Sequence, residues 1–103
     1  MKIAIVDYGL GNLHSVFNAL QTVGGRVTFC SEPAEIGQYD ALVLPGVGAF
    51  GDGMQNLRTS GLAGAIQEHV AQNKSLLGVC LGLQLLFGGS SEFGSHEGLG
   101  LIP

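Results

Sequence analysis

The sequence predicts an α/β fold: a parallel sheet whose strands are joined by right-handed helical crossovers. Three observations predict it. Short runs rich in apolar or β-branched residues recur at residues 2–7, 26–29, 41–44 and 75–79, and the first of them reads as a buried parallel strand. Segments with helical spacing separate them. Glycine-rich turns follow the first, third and fourth runs, on the sheet edge where parallel α/β folds place ligands.

The elements follow in order. Residues 2–7, Lys-Ile-Ala-Ile-Val-Asp, are rich in β-branched side chains and form the first strand. Tyr8-Gly9-Leu10-Gly11 is a turn. Asn12 caps a helix to about Val23, with Leu13, Val16, Phe17 and Leu20 on one face, and Gly24-Gly25 stops it. Residues 26–29 form the second strand, with Cys30 as a buried thiol at its end. Residues 32–36 form a short helix with Pro33 in its first turn. Ala41-Leu-Val-Leu44 is the third strand, ended by Pro45-Gly46-Val47-Gly48. Residues 50–60 are interrupted by glycine and hold only a weak helix around 54–57. Residues 62–72 form a better one, with Leu62, Ile66 and Val70 at four-residue spacing and His69 facing solvent. Residues 75–79 are the fourth strand and 81–87 a helix stopped by Gly88-Gly89. Residues 90–100 read as a polar loop.

Composition narrows the function classes. A chain of 103 residues makes one small domain. Charged residues are 12% of it, against about 25% in an ordinary soluble domain. So few charges leave part of the surface apolar, which implies a partner or membership of a larger domain. Net charge is −4 with four Lys and Arg in total, and no basic cluster offers itself to nucleic acid. Two cysteines make neither a disulfide framework nor a zinc site. Met1-Lys2 leads into only four apolar residues before Asp7, so no signal peptide is expected, and residues 76–87 are too short to span a membrane. A cytoplasmic protein is expected. Gly9-Leu10-Gly11 resembles a dinucleotide fingerprint, but His14 occupies the third glycine position. Lys74-Ser75 resembles the end of a phosphate loop, but Asn73 replaces its glycine. No cofactor or metal is expected.

The chemistry concentrates at Gly78-Val79-Cys80-Leu81-Gly82. Small residues two before and two after a nucleophile allow a sharp strand-to-helix turn with the nucleophile at its strained tip. A side chain at 78 or 82 would meet neighbouring backbone. The turn sets Cys80 at a helix N-terminus, where unpaired N–H groups and the helix dipole favour a thiolate. An oxyanion hole takes one N–H from the residue after the nucleophile, here Leu81, and another from a separate loop. Gly46-Val47-Gly48 is that loop, because its glycines bring backbone N–H groups close to a substrate. Gln84, four residues after Cys80, shares its helix face and can hold a polar substrate; an ordinary exposed helix Gln is the alternative.

Gly78-Val-Cys80-Leu-Gly82-Leu-Gln84 resembles the nucleophile motif of the class I, triad-type glutamine amidotransferases. Asp7-Tyr8-Gly9-Leu-Gly11-Asn12 and Pro45-Gly46-Val47-Gly48-Ala49-Phe50 are similar to segments of one branch, the glutaminase subunits of imidazole glycerol phosphate synthase. The resemblance implies a flavodoxin-like parallel sheet flanked by helices. It implies hydrolysis of glutamine to glutamate and ammonia through a Cys80 thioester, with ammonia passed to a cyclase barrel in histidine biosynthesis. Leu81 and the loop Gly46, Val47 and Gly48 would stabilise the oxyanion, Gln84 would contact glutamine, and Gly11 and Asn12 would face the cyclase.

The chain departs from the family in one respect. The family pattern has a His with a Glu two residues later, downstream of the nucleophile. None of His14, His69 and His96 has that neighbour, and only His14 starts near the active edge. The expectation is that residues 1–103 are the N-terminal part of a single amidotransferase domain. Alone they would be inactive and prone to self-association. The alternatives are a partner-binding module without catalysis, or the glutaminase subunit of another biosynthetic synthase.

Overall fold

The computed structural model describes residues 2–9, 13–22, 26–90 and 96–101. Four strands form a parallel sheet: β1 (Lys2–Val6), β2 (Arg26–Cys30), β3 (Ala41–Leu44) and β4 (Ser75–Gly78), in the order β2-β1-β3-β4. Register pairs Ile3 with Val27 and Ala41, and Leu44 with Gly78. The order reverses between β1 and β3, so the loops after these strands diverge at the carboxyl edge and leave a crevice there. The four strands agree with the sequence expectation to within a residue at each end.

Helices α1 (Leu13–Thr22), α2 (Phe50–Thr59), α3 (Leu62–Ala71) and α4 (Leu81–Leu85) and a 3₁₀ helix (Pro33–Gln38) make the connections. Alternation along the strands sorts side chains to two faces. Ala4, Val6, Leu42 and Leu44 join Phe50, Met54, Leu57, Leu62, Ile66, Leu81 and Leu85 in the main core, under α2, α3 and α4. Ile5, Val27 and Val43 face the other way, against Leu13, Val16, Phe17 and Leu20 of α1. Phe17 stacks on Phe29 with ring centroids 5.2 Å apart. That second face carries α1 alone among the described elements. Beside it, Val43, Leu77 and Val79 line an open apolar groove of about 530 Å³, and Leu77 is 56% exposed. Part of the apolar surface anticipated from the low charge content lies here; Leu83 and Phe87, also exposed, do not line the groove.

Three expectations need correction. The segment expected to hold only a weak helix is a full helix, α2. Gly53 is what permits it: a Cβ there would sit 3.3 Å from Leu81 and Leu85 side chains, so α2 packs against α4 at a glycine. Close packing outweighs a propensity cost of about 1 kcal/mol. His69 does not face solvent; it is 2% exposed. On a helix, residue 69 lies about 20° from the direction of Leu62 and residue 70 about 80° away, so the buried stripe runs through 69 rather than 70. Its Nε2 sits 2.9 Å from the Ser75 carbonyl, which requires the Nε2–H tautomer and leaves Nδ1 without a partner. The expected polar loop contains two short antiparallel strands, β5 (Gly89–Ser90) and β6 (His96–Glu97). Arg58 of α2 holds that region by donating to the Glu97 carbonyl at 2.7 Å. Gly11, Asn12, Gly24, Gly25 and residues 91–95 lie outside the described residues.

Candidate active site

The chain leaves β4 through Val79, whose N–H still donates to the Leu44 carbonyl at 2.9 Å. It then reverses at Cys80, which has φ 56° and ψ −124°. A non-glycine residue there costs on the order of 1–3 kcal/mol and persists only where its surroundings impose it. The surroundings do so. A Cβ on Gly82 would run into the Leu44 carbonyl oxygen, and one on Gly78 would lie 2.7 Å from the Leu83 Cα. Both glycines are required by close approach to backbone, as the motif implied. The strained tip leaves Cys80 exposed and with a free thiol.

The loop from β3 runs beside it. Gly46, Val47, Gly48, Cys80, Leu81 and Gln84 together line one cleft of about 360 Å³. These are the six residues expected to carry nucleophile, oxyanion and substrate contacts, drawn from two loops and a helix. Val47 is 51% exposed at the rim. Gly48 has φ 96°, a left-handed conformation that glycine tolerates, with open space around it.

One expectation fails in this structure. The N–H groups at the start of α4 are not unpaired: Leu81 donates to the Gly46 carbonyl at 3.2 Å, Gly82 to Val79 at 2.9 Å and Leu83 to Cys80 at 3.1 Å. The Leu81 donor is therefore occupied by the very loop expected to supply its companion. The helix itself is only five residues long, so its dipole is small.

The histidines lie elsewhere. His14 is exposed on α1 and lines neither the cleft nor the apolar groove next to it. His69 bonds the first residue of β4, and five residues of extended chain put that point roughly 15 Å from Cys80. The backbone of His96 belongs to β6, packed at α2. Cys30 is buried, its thiol 3.5 Å from the Glu32 carbonyl, and burial pushes its pKa up; it is the buried thiol expected.

Sequence reasoning missed Tyr8. It is 6% exposed, and its hydroxyl donates to the Pro45 carbonyl at 2.5 Å. Burial pushes its pKa from 10.0 to about 12. Asn56 of α2 donates to the Tyr8 carbonyl at 3.1 Å. No local pattern marked it, because its partner lies in another loop, 37 residues away.

Known proteins resemble the chain closely. It is 56% identical to the imidazole glycerol phosphate synthase subunit HisH of Sulfurimonas denitrificans over 97% of this chain and 48% of that one. It is 53% identical to the subunit of the same name from Wolinella succinogenes, over 97% of this chain and 49% of that one. The chain thus spans about half the length of the curated relatives it matches. A solved glutamine amidotransferase superposes with a TM-score of 0.80 at 20% identity, covering 95% of this chain and 52% of its own length, a likeness of fold. Residues 2–103 match the model for the CobB/CobQ-like glutamine amidotransferase domain, and the chain belongs to that family.

Proposed function

We propose that this chain supplies the nucleophile and oxyanion loop of a glutaminase that hydrolyses glutamine to glutamate and ammonia. The ammonia would serve a cyclase barrel of an imidazole glycerol phosphate synthase, in the cytoplasm, in histidine biosynthesis. The observation that carries the reading is the cleft in which Cys80, at a strained turn, meets Leu81, Gln84 and the Gly46–Gly48 backbone. Identity above 50% to synthase subunits supports the choice of partner.

The chemistry follows from the geometry. The Cys80 sulfur attacks the side-chain amide carbon of glutamine, and the carbonyl oxygen becomes an oxyanion. Leu81 N–H is placed to receive it once the Gly46 carbonyl withdraws, and rotation of the Gly46–Val47 peptide would remove that carbonyl and turn the Val47 N–H inward. Gln84 contacts the polar groups of the substrate. Collapse of the intermediate breaks the C–N bond, the nitrogen leaves as ammonia with an added proton, and water then cleaves the thioester to glutamate.

A proton carrier is needed at two of these steps and contributes about 10²–10⁴-fold. His14 and His69 do not line the cleft, so residues 1–103 alone should have essentially no glutaminase activity. In a subunit of the relatives' length, the base would come from beyond residue 103. Gly11 and Asn12 are proposed to face the cyclase. Glutamine hydrolysis by the isolated chain, and by a subunit of the relatives' length with and without cyclase, tests this. Turnover by the isolated chain at the rate of the complex would refute the division of labour and make His14 the first residue to mutate.

A further inference from the structure

Tyr8 stands in the turn after β1 and yet is buried. A carbonyl oxygen only accepts, so the short contact to Pro45 makes the Tyr8 hydroxyl the donor. The raised pKa, about 12, keeps its proton in place throughout the neutral range. Tyr8 is itself braced by Asn56 from α2 at 3.1 Å. A Cβ on Gly46 would strike the Tyr8 hydroxyl and lie 2.9 Å from the Leu81 Cβ, so the bare glycine is what admits the tyrosine to this position.

The peptides of the loop thus differ in what holds them. The Pro45–Gly46 peptide is tied to a buried side chain. Among the described residues the Gly46–Val47 peptide is tied through the 3.2 Å bond from Leu81 N–H, which must break for the oxyanion hole to form. Beyond it Val47 is half exposed, and Gly48 has open space around it.

We propose that Tyr8 is a positioning residue: its hydroxyl anchors the Pro45–Gly46 peptide, so that rearrangement of the oxyanion loop is confined to the Gly46–Val47 peptide. The inference rests on the reading of Cys80 and Leu81 given above. An anchored loop exchanges between two backbone states, one capping Leu81 and one freeing it. Without the anchor the loop would wander among many, and few would aim a donor at the oxyanion.

The test is Tyr8→Phe, which deletes only the hydroxyl, in a subunit of the relatives' length bound to its cyclase. The expected result is a fall of about 10-fold in kcat for glutamine, part of what a lost oxyanion donor costs, with KM changed less than about twofold. Turnover with added ammonia should stay at the wild-type rate. In the 103-residue chain, amide hydrogen exchange at Val47, Gly48 and Ala49 should quicken, with α3 unaffected. Tyr39→Phe, which removes a tyrosine hydroxyl 3.1 Å from Thr28, should leave both readouts unchanged. Wild-type kcat together with wild-type amide exchange in Tyr8→Phe would overturn the proposal. Should the variant not fold, hydroxyl-proton exchange of Tyr8 in the wild-type chain decides: slow exchange supports the anchor, and exchange as fast as in free tyrosine overturns it. A wild-type complex that makes no ammonia from glutamine would instead overturn the reading of Cys80, leaving the amide-exchange comparison to judge the anchor.

Discussion

At the residue scale, backbone conformation sets the site. Cys80 holds φ 56° because two glycines let its neighbours approach the Leu44 carbonyl and the Leu83 backbone. Gly82→Ala should therefore destabilise the chain by about 1–3 kcal/mol or prevent folding, read as a lowered urea midpoint. An unchanged midpoint would mean the turn is looser than described. Tyr8 gives a second expectation. The unfolded chain ionises near pH 10, while the folded chain holds the proton to about pH 12. Below pH 10 both states are protonated and stability is unaffected. Between 10 and 12 only the unfolded state loses the proton, so stability falls as pH rises, by about 2–3 kcal/mol in all. Tyr8→Phe should abolish that part of the alkaline loss, measured by denaturation at pH 9, 10, 11 and 12; an identical slope in both proteins would contradict it. The Cys80 turn was legible in sequence because a five-residue glycine pattern encodes it locally. Tyr8 was not, because its partner is 37 residues away, and nothing local marks a hydroxyl that reaches another loop.

At the element scale, strands were read almost to the residue: β1 and β3 are apolar and largely buried, whereas β2 and β4, partly exposed at the edges of the sheet, were marked by short β-prone runs next to glycines. Helices were read less well where tertiary contact decides. Gly53 lowers the propensity of α2 and at the same time makes its packing on α4 close. His69 completes the buried stripe of α3 at a spacing of three, where a count by fours points to Val70. The short β5–β6 pair lacks the alternation that marks a strand over a longer run. The loop after β3 carries the functional expectation at this scale. Gly48 has φ 96°, which proline cannot adopt, and Gly48→Pro also removes an N–H. In the complex this variant should lose glutamine-dependent turnover by about 10²–10³-fold and lose its stimulation by cyclase. Wild-type stimulation would argue against a switching role for the loop.

At the scale of the whole molecule, the chain is compact, with a radius of gyration of 12.7 Å, as about 13 Å is expected for 100 residues. Even so, among the described residues one sheet face carries α1 alone, and β4 is an edge strand that bears the exposed Leu77. Such edges pair with other chains unless covered or charged. The isolated chain should therefore self-associate in sedimentation velocity as its concentration rises, and Leu77→Lys should shift it towards monomer. A wild-type chain that stays monomeric at high concentration would show that this face is tolerated in water. The composition made an apolar surface legible; its location was not, because it depends on which strands α1 leaves uncovered.

A nucleophilic role for Cys80 in a glutaminase is read most plainly from product formation by Cys80→Ala in a subunit of the relatives' length with its cyclase, fed either glutamine or ammonia. The predicted result is loss of glutamine-dependent turnover with ammonia-dependent turnover intact, since the thioester cannot form while the cyclase is untouched. Glutamine-dependent turnover at the wild-type rate in that variant would contradict that role.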